Sequence, residues 1–123
     1  MKENRPLSPH LTIHRRISTA VFSIIHRITG IGLSLGSILI CAWIALIAIG
    51  EEYFLIFQTI SKSFFFTLIL ILWTIGIFYH LFNGIRYLFW SFGYGLDLKT
   101  VYNTSYIVIV LTVLSTIIVW FAV

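Results

Sequence analysis

Residues 64–90 read FFFTLILILWTIGIFYHLFNGIRYLFW. From Phe64 to Tyr79 there is no charge at all; only then do His80, Asn83 and Arg86 appear, embedded in sequence that stays apolar. A run of this length is what a helix needs to cross a hydrocarbon core of roughly 30 Å at about 1.5 Å per residue. Lipid offers the backbone no hydrogen bonds, so a spanning segment is a helix or part of a closed barrel, and the chain has too few such segments for a barrel. The stretch therefore sets the fold class as all-α and membrane-embedded, with ionisable groups inside one span.

The same reading extends outward. A first span runs from about Ile17 to Ile49, with ITGIGLSLGSILICAWIALIAIG as its uninterrupted part, and a third from about Thr104 to Val123. The expected helices are thus about 17–49, 64–90 and 104–123, in a single membrane-anchor domain over 1–123. GEEYFLIFQTISKS reads as a short loop with interfacial aromatic character, and SFGYGLDLKTVYN, with its glycines and charges, as a second loop. Residues 1–16 form an N-terminal segment over the inner face. RPLSPHLTIHRR within it is broken by Pro6 and Pro9, and it lacks the apolar core of a signal peptide.

Composition agrees. The 123 residues are 59% hydrophobic and only 10% charged, with a mean hydropathy of +1.02. A soluble domain of this size carries far more charge on its surface. The net charge of +4 has no interleaving of basic and aromatic residues, so no nucleic-acid partner is expected and the charge reports topology. Lys2, Arg5, Arg15 and Arg16 outweigh Glu3 before the first span; Glu51 and Glu52 outweigh Lys62 in the first loop. The second loop carries Lys99 and Asp97, with Arg86 just before it. By the positive-inside rule the N-terminus and second loop face the cytoplasm or matrix, and the C-terminus faces outward. Cys41 is alone and reads as a small buried apolar residue.

This topology brings polar groups to one level. His26 lies ten residues beyond Arg16, and His80 ten before Trp90 on the antiparallel second span. Each is about 15 Å along its helix from that marker, in the inner half of the membrane. Ionisable side chains there face a protein interior or cavity and mark function by default. One face of the second span carries Gly76, His80, Gly84, Tyr87 and Ser91, so a glycine one turn to each side clears bulk around His80. That suits ligation of a flat macrocycle; it equally suits a histidine bonded to a neighbouring helix that glycines let approach. The face with Tyr79, Asn83, Arg86 and Trp90 is expected to hold Arg86 as an anchor at the inner interface. On the first span Ser23 and Arg27 share a face at i, i+4, with His26 beside them. A hydroxyl and a guanidinium together can bond a quinone oxygen and stabilise the charge that reduction develops there. They can also meet propionates, lipid phosphate or a partner's carboxylate. Gly32 and Gly36 form a small-xxx-small pair for helix packing.

RPLSPHLTIHRR, FSIIHRITG and HLFNGIRYLFWSFGYG, in this order and at these separations, resemble the cytochrome b subunit of succinate dehydrogenase, the larger membrane anchor of respiratory complex II. That family carries R-P-x-S-P-H-L, then S-x-x-H-R-x-S/T-G, then H-x-x-x-G-I/V-R-H. The resemblance covers almost the whole chain. It implies a three-helix anchor in the bacterial or mitochondrial inner membrane, without flavin of its own. Its partners would be a second small anchor, an iron–sulfur subunit and a flavoprotein subunit, with electrons from succinate passing to ubiquinone. It implies one haem b, with His80 as one axial ligand and the second from the partner anchor. Ser23 and Arg27 fall on the family's quinone site, and His26 near the haem propionates, with Arg27, Gly84 and Tyr87 also at the cofactor. Tyr87 stands where the family has a histidine, and Ser91 where it has an aspartate; a tyrosine hydroxyl bonds but brings no positive charge. The alternative of a different class is a membrane scaffold without redox chemistry, whose histidines and arginines only bind helices or lipid. A carrier with two haems is disfavoured, because only His26 and His80 lie within the spans.

Overall fold

The computed structural model describes residues 18–122; the expectations for residues 1–16 lie outside them. Four helices follow in order: α1 (Ser18–Ile49), α2 (Glu51–Ser61), α3 (Phe64–Ser91) and α4 (Leu98–Ala122). Helices α1, α3 and α4 are each long and apolar enough to cross a membrane. At 32 and 28 residues, α1 and α3 reach about 48 and 42 Å, more than the hydrocarbon core requires.

Two segments expected as loops are helical. Between the first two spans stands α2, whose Phe54, Phe57, Gln58 and Ser61 are half-buried at i, i+3, i+4, i+7 spacing while its other side chains are exposed. Glu51 and Glu52 occupy its first turn, where the helix dipole favours them. The chain turns the corner from α1 at Gly50, whose φ of 153° is closed to most side chains. The third span begins at Leu98, six residues before its expected start, because Asp97 caps it: Asp97 Oδ2 accepts the Thr100 N–H at 2.9 Å. At the end of α3, Gly93 takes φ 82° and a Schellman pair closes the helix: Gly93 N–H bonds Trp90 O at 2.9 Å and Tyr94 N–H bonds Phe89 O at 3.0 Å.

Helix α3 is central, packing on α1 at one side and on α4 at the other. Large apolar side chains cover the outside, and the buried set is mainly polar or small: Tyr79, Asn83 and Arg86 on α3, and Val101, Ser105, Val108, Thr112 and Thr116 along one face of α4. In lipid this arrangement is favourable, because association relies on close packing and satisfied polar groups rather than on escape from water. The α4 hydroxyls are satisfied within their own helix: Ser105 donates to Val101 O (2.8 Å), Thr112 to Val108 O (2.7 Å) and Thr116 to Thr112 O (2.8 Å). Of the expected Gly32–Gly36 pair, only Gly36 is at a helix contact, under the Trp73 indole; Gly32 faces open space. Gly30 is the other close-approach glycine of α1. Cys41, expected to be buried, is exposed on the outside of α1.

Candidate functional site

Helices α1 and α3 are antiparallel where they touch: Phe22 meets Tyr79, His26 and Thr29 meet His80, and Gly36 meets Trp73. This register brings His26 and His80 face to face, with ring centroids 3.8 Å apart and planes 14° from parallel. Each ring bonds the backbone of the other residue. His26 Nε2 is 3.2 Å from His80 O, and His80 Nδ1 is 3.1 Å from His26 O. A carbonyl only accepts, so His26 carries its proton on Nε2 and His80 on Nδ1. Thr29 joins the second bond: its hydroxyl donates to His26 O at 2.9 Å and its oxygen lies 3.2 Å from His80 Nδ1, accepting a share of the same N–H.

The sequence makes these carbonyls reachable. A helical side chain leans over the turn before it, so residue i+4 normally covers the carbonyl of residue i. Here both i+4 positions are glycines, Gly30 after His26 and Gly84 after His80. A Cβ on Gly30 would stand 3.1 Å from His80 Cε1, and one on Gly84 would stand 3.6 Å from His26 Nε2. The site is thus a reciprocal pair of H-x-x-x-G steps, each histidine seated over the other helix's glycine. Gly76 likewise lies against Thr29. The glycines around His80 therefore admit α1.

Both ring contacts of His80 within hydrogen-bond distance use Nδ1; among the described residues Nε2 has no partner. The neutral ring thus keeps a lone pair on Nε2, the form in which histidine ligates a metal. His26 and His80 do not aim their lone pairs at a common point between them. Two imidazoles lying face to face have lone pairs in parallel planes, and these do not point at one another. Tyr87 puts its ring against His26, with centroids 5.0 Å apart at 68°, and lies 5.2 Å from Trp90. Ser91 bonds Leu88 O within its own helix at 2.7 Å. On α1, Ser23 is half-buried and Arg27 exposed, on the outside of the bundle. A cavity of about 490 Å³ between α1, α2 and α3, lined by Trp43, Phe54, Phe57 and Trp73, lies toward the other end of α1 from this pair.

Arg86 is not an interface anchor. It is 5% exposed, and its guanidinium donates to Val101 O on α4 (3.0 Å) and to Asn83 Oδ1 (3.2 Å). It lies over the Trp90 ring, 4.2 Å from the centroid, and 5.6 Å from that of Phe22. Asn83 is fully buried, and Tyr79 donates to Phe22 O at 2.8 Å. Spacing alone put these residues on one face of α3; that the face is covered by α4 and the start of α1 depends on tertiary packing.

The profile of the family described as succinate dehydrogenase/fumarate reductase transmembrane subunit matches residues 1–119. The chain belongs to that family. It is 39% identical to the succinate dehydrogenase cytochrome b560 subunit of Reclinomonas americana over 98% of this chain and 87% of that protein. It is 37% identical to the cytochrome b556 subunit of Rickettsia bellii over 94% of this chain and 90% of the relative. With the b556 subunit of Paracoccus denitrificans it shares 38% identity over 83% and 78% of the two chains. A transmembrane subunit of this family with three apolar spans is a multi-pass inner-membrane protein. The names of these relatives, cytochromes b, imply a b-type haem in the family.

Proposed function

We propose that this chain is the cytochrome b anchor of succinate dehydrogenase, holding the flavoprotein and iron–sulfur subunits at the membrane, sharing one haem b with a second small anchor and forming part of the ubiquinone-reduction site. The N-terminus and the α3–α4 turn face the iron–sulfur subunit side, and the C-terminus faces outward, as the basic residues direct.

The observation that carries this reading is the state of His80. Its Nδ1 is engaged by α1, and among the described residues its Nε2 is without a partner; Arg27 is exposed and Ser23 half-buried on the same helix α1. His80 would hold the haem through Nε2, and since the stacked His26 is not aimed to ligate with it, a second protein ligand would come from the partner anchor. When bound, the haem supplies one-electron redox chemistry. His26 holds α1 against α3 through the His80 carbonyl and sits at the cofactor edge together with Gly84 and Tyr87. Arg27 and Ser23 act on the quinone: the guanidinium stabilises negative charge as it develops on a carbonyl oxygen, and the hydroxyl donates to or accepts from the same oxygen. Exposure of Arg27 on the outside of the bundle leaves its charge accessible to a molecule arriving from the lipid or from the interface with the second anchor.

Arg27→Leu tests the quinone assignment. In the assembled complex it should lower ubiquinone reduction by tenfold or more, about 1.4 kcal/mol or above, while succinate oxidation by an artificial acceptor stays near normal. Unchanged ubiquinone reduction would remove Arg27 from the site.

A further inference from the structure

We propose that Thr29 and Gly30 are positioning residues for His80: together they seat its ring against α1 and hold the Nδ1 proton there, so that Nε2 is the nitrogen offered to the haem iron. The inference rests on the reading of His80 as a haem ligand and adds residues on the other helix that govern it.

Two independent observations support it. The first is the bond set. His80 Nδ1 reaches both His26 O (3.1 Å) and Thr29 Oγ1 (3.2 Å), and the Thr29 hydroxyl hydrogen is directed at His26 O (2.9 Å). Thr29 therefore has its lone pairs turned toward His80 Nδ1, and with both neighbouring oxygens placed to accept there, Nδ1 is the nitrogen that carries the proton. The second is steric. Gly30 lies against the His80 ring, and a methyl there would stand 3.1 Å from Cε1, tighter than ordinary van der Waals contact. Cε1 lies between the two ring nitrogens, so a push at that atom turns Nε2 as well as Nδ1. The counterpart on α3, Gly84, has more room, 3.6 Å to His26 Nε2. The two glycines look alike in sequence and differ in consequence.

An acceptor on the distal nitrogen of an axial histidine makes the ring a stronger electron donor and favours the oxidised metal. Loss of the Thr29 oxygen should therefore raise the haem midpoint potential without removing the haem. The test uses the purified, assembled complex with Thr29→Val, Thr29→Ser, Gly30→Ala and His80→Leu, reading haem per flavin, the reduced-haem spectrum and the midpoint potential by redox titration. The expected result is a full haem complement with an upward-shifted potential in Thr29→Val, the wild-type potential restored in Thr29→Ser, and haem lost or spectrally altered in Gly30→Ala. An unchanged potential and spectrum in Thr29→Val would overturn the role of Thr29 and leave the assignment of His80 standing. If Thr29→Val assembles without haem, Thr29→Ser decides: normal haem and potential support the hydroxyl, and a lost haem or shifted potential overturns it. Retention of the wild-type haem signal in His80→Leu would overturn the ligand assignment, and this inference with it.

Discussion

At His80 and again at Arg86, helix α3 turns a basic side chain toward a neighbouring helix, and the two meet opposite conditions. His80 is half-buried and has one nitrogen committed to α1 while the other is without a partner among the described residues. Arg86 is almost wholly buried; two of its nitrogens are bonded to Asn83 and Val101 and its flat face lies on Trp90. The first arrangement leaves a lone pair for chemistry. The second closes a cation between three helices, where it joins α3 to α4 through a backbone carbonyl. A buried polar group inside a membrane protein can therefore be a site or a strut: His80 leaves a ring lone pair, whereas what Arg86 leaves unpartnered among the described residues is an Nε donor, which cannot ligate.

The contrast can be broken most forcefully at the strut. Arg86→Leu leaves Asn83 Oδ1 without its donor, an orphaned buried group that costs about 1–3 kcal/mol, and removes the α3–α4 tie to Val101 O, which keeps its hydroxyl donors Ser105 and Thr104. The expected outcome is the largest loss of thermal stability among these variants and a lower yield of assembled complex, with normal haem per flavin in the complex that does assemble. A normal yield with haem lost would mean that Arg86 belongs to the cofactor and not to the helix pair. A smaller effect sharpens the same comparison at Asp97, which caps α4 one turn before Val101. The side-chain and backbone bonds of Thr100 hold the Asp97 carboxyl below its ordinary value. A depressed value means that the ionised cap contributes above the usual carboxylate range and fades as pH falls through the lowered value. Asp97→Ala should thus lower thermal stability slightly at neutral pH, and the gap from wild type should close in acid, below about pH 4. A gap independent of pH would show that the charge of the cap contributes nothing.

The three spans were legible because lipid imposes a simple demand, some twenty apolar residues per crossing, and the chain meets it three times. The α2 helix was missed, although Phe54, Phe57, Gln58 and Ser61 repeat with helical period, because its glutamates and short length resemble a loop. The early start of α4 could have been found from Asp97 three residues before Thr100, a cap spacing that needs no tertiary information. His26 and His80 were expected at one depth, and the structure puts them in contact. Their reciprocal bonds were not legible: H-x-x-x-G occurs once on each helix, and only the antiparallel register sets each glycine under the other's histidine. The burial of Arg86 was misjudged for the same reason, since no feature of α3 alone says which of its faces α4 will cover.

The most direct test of the central claim is the reduced-minus-oxidised haem spectrum of the purified succinate dehydrogenase complex with His80→Leu beside the unsubstituted complex, each normalised to flavin. The account predicts a b-type signal in the unsubstituted complex that is lost or strongly altered in the variant. An undiminished signal in the variant, or no haem signal in either, would contradict it.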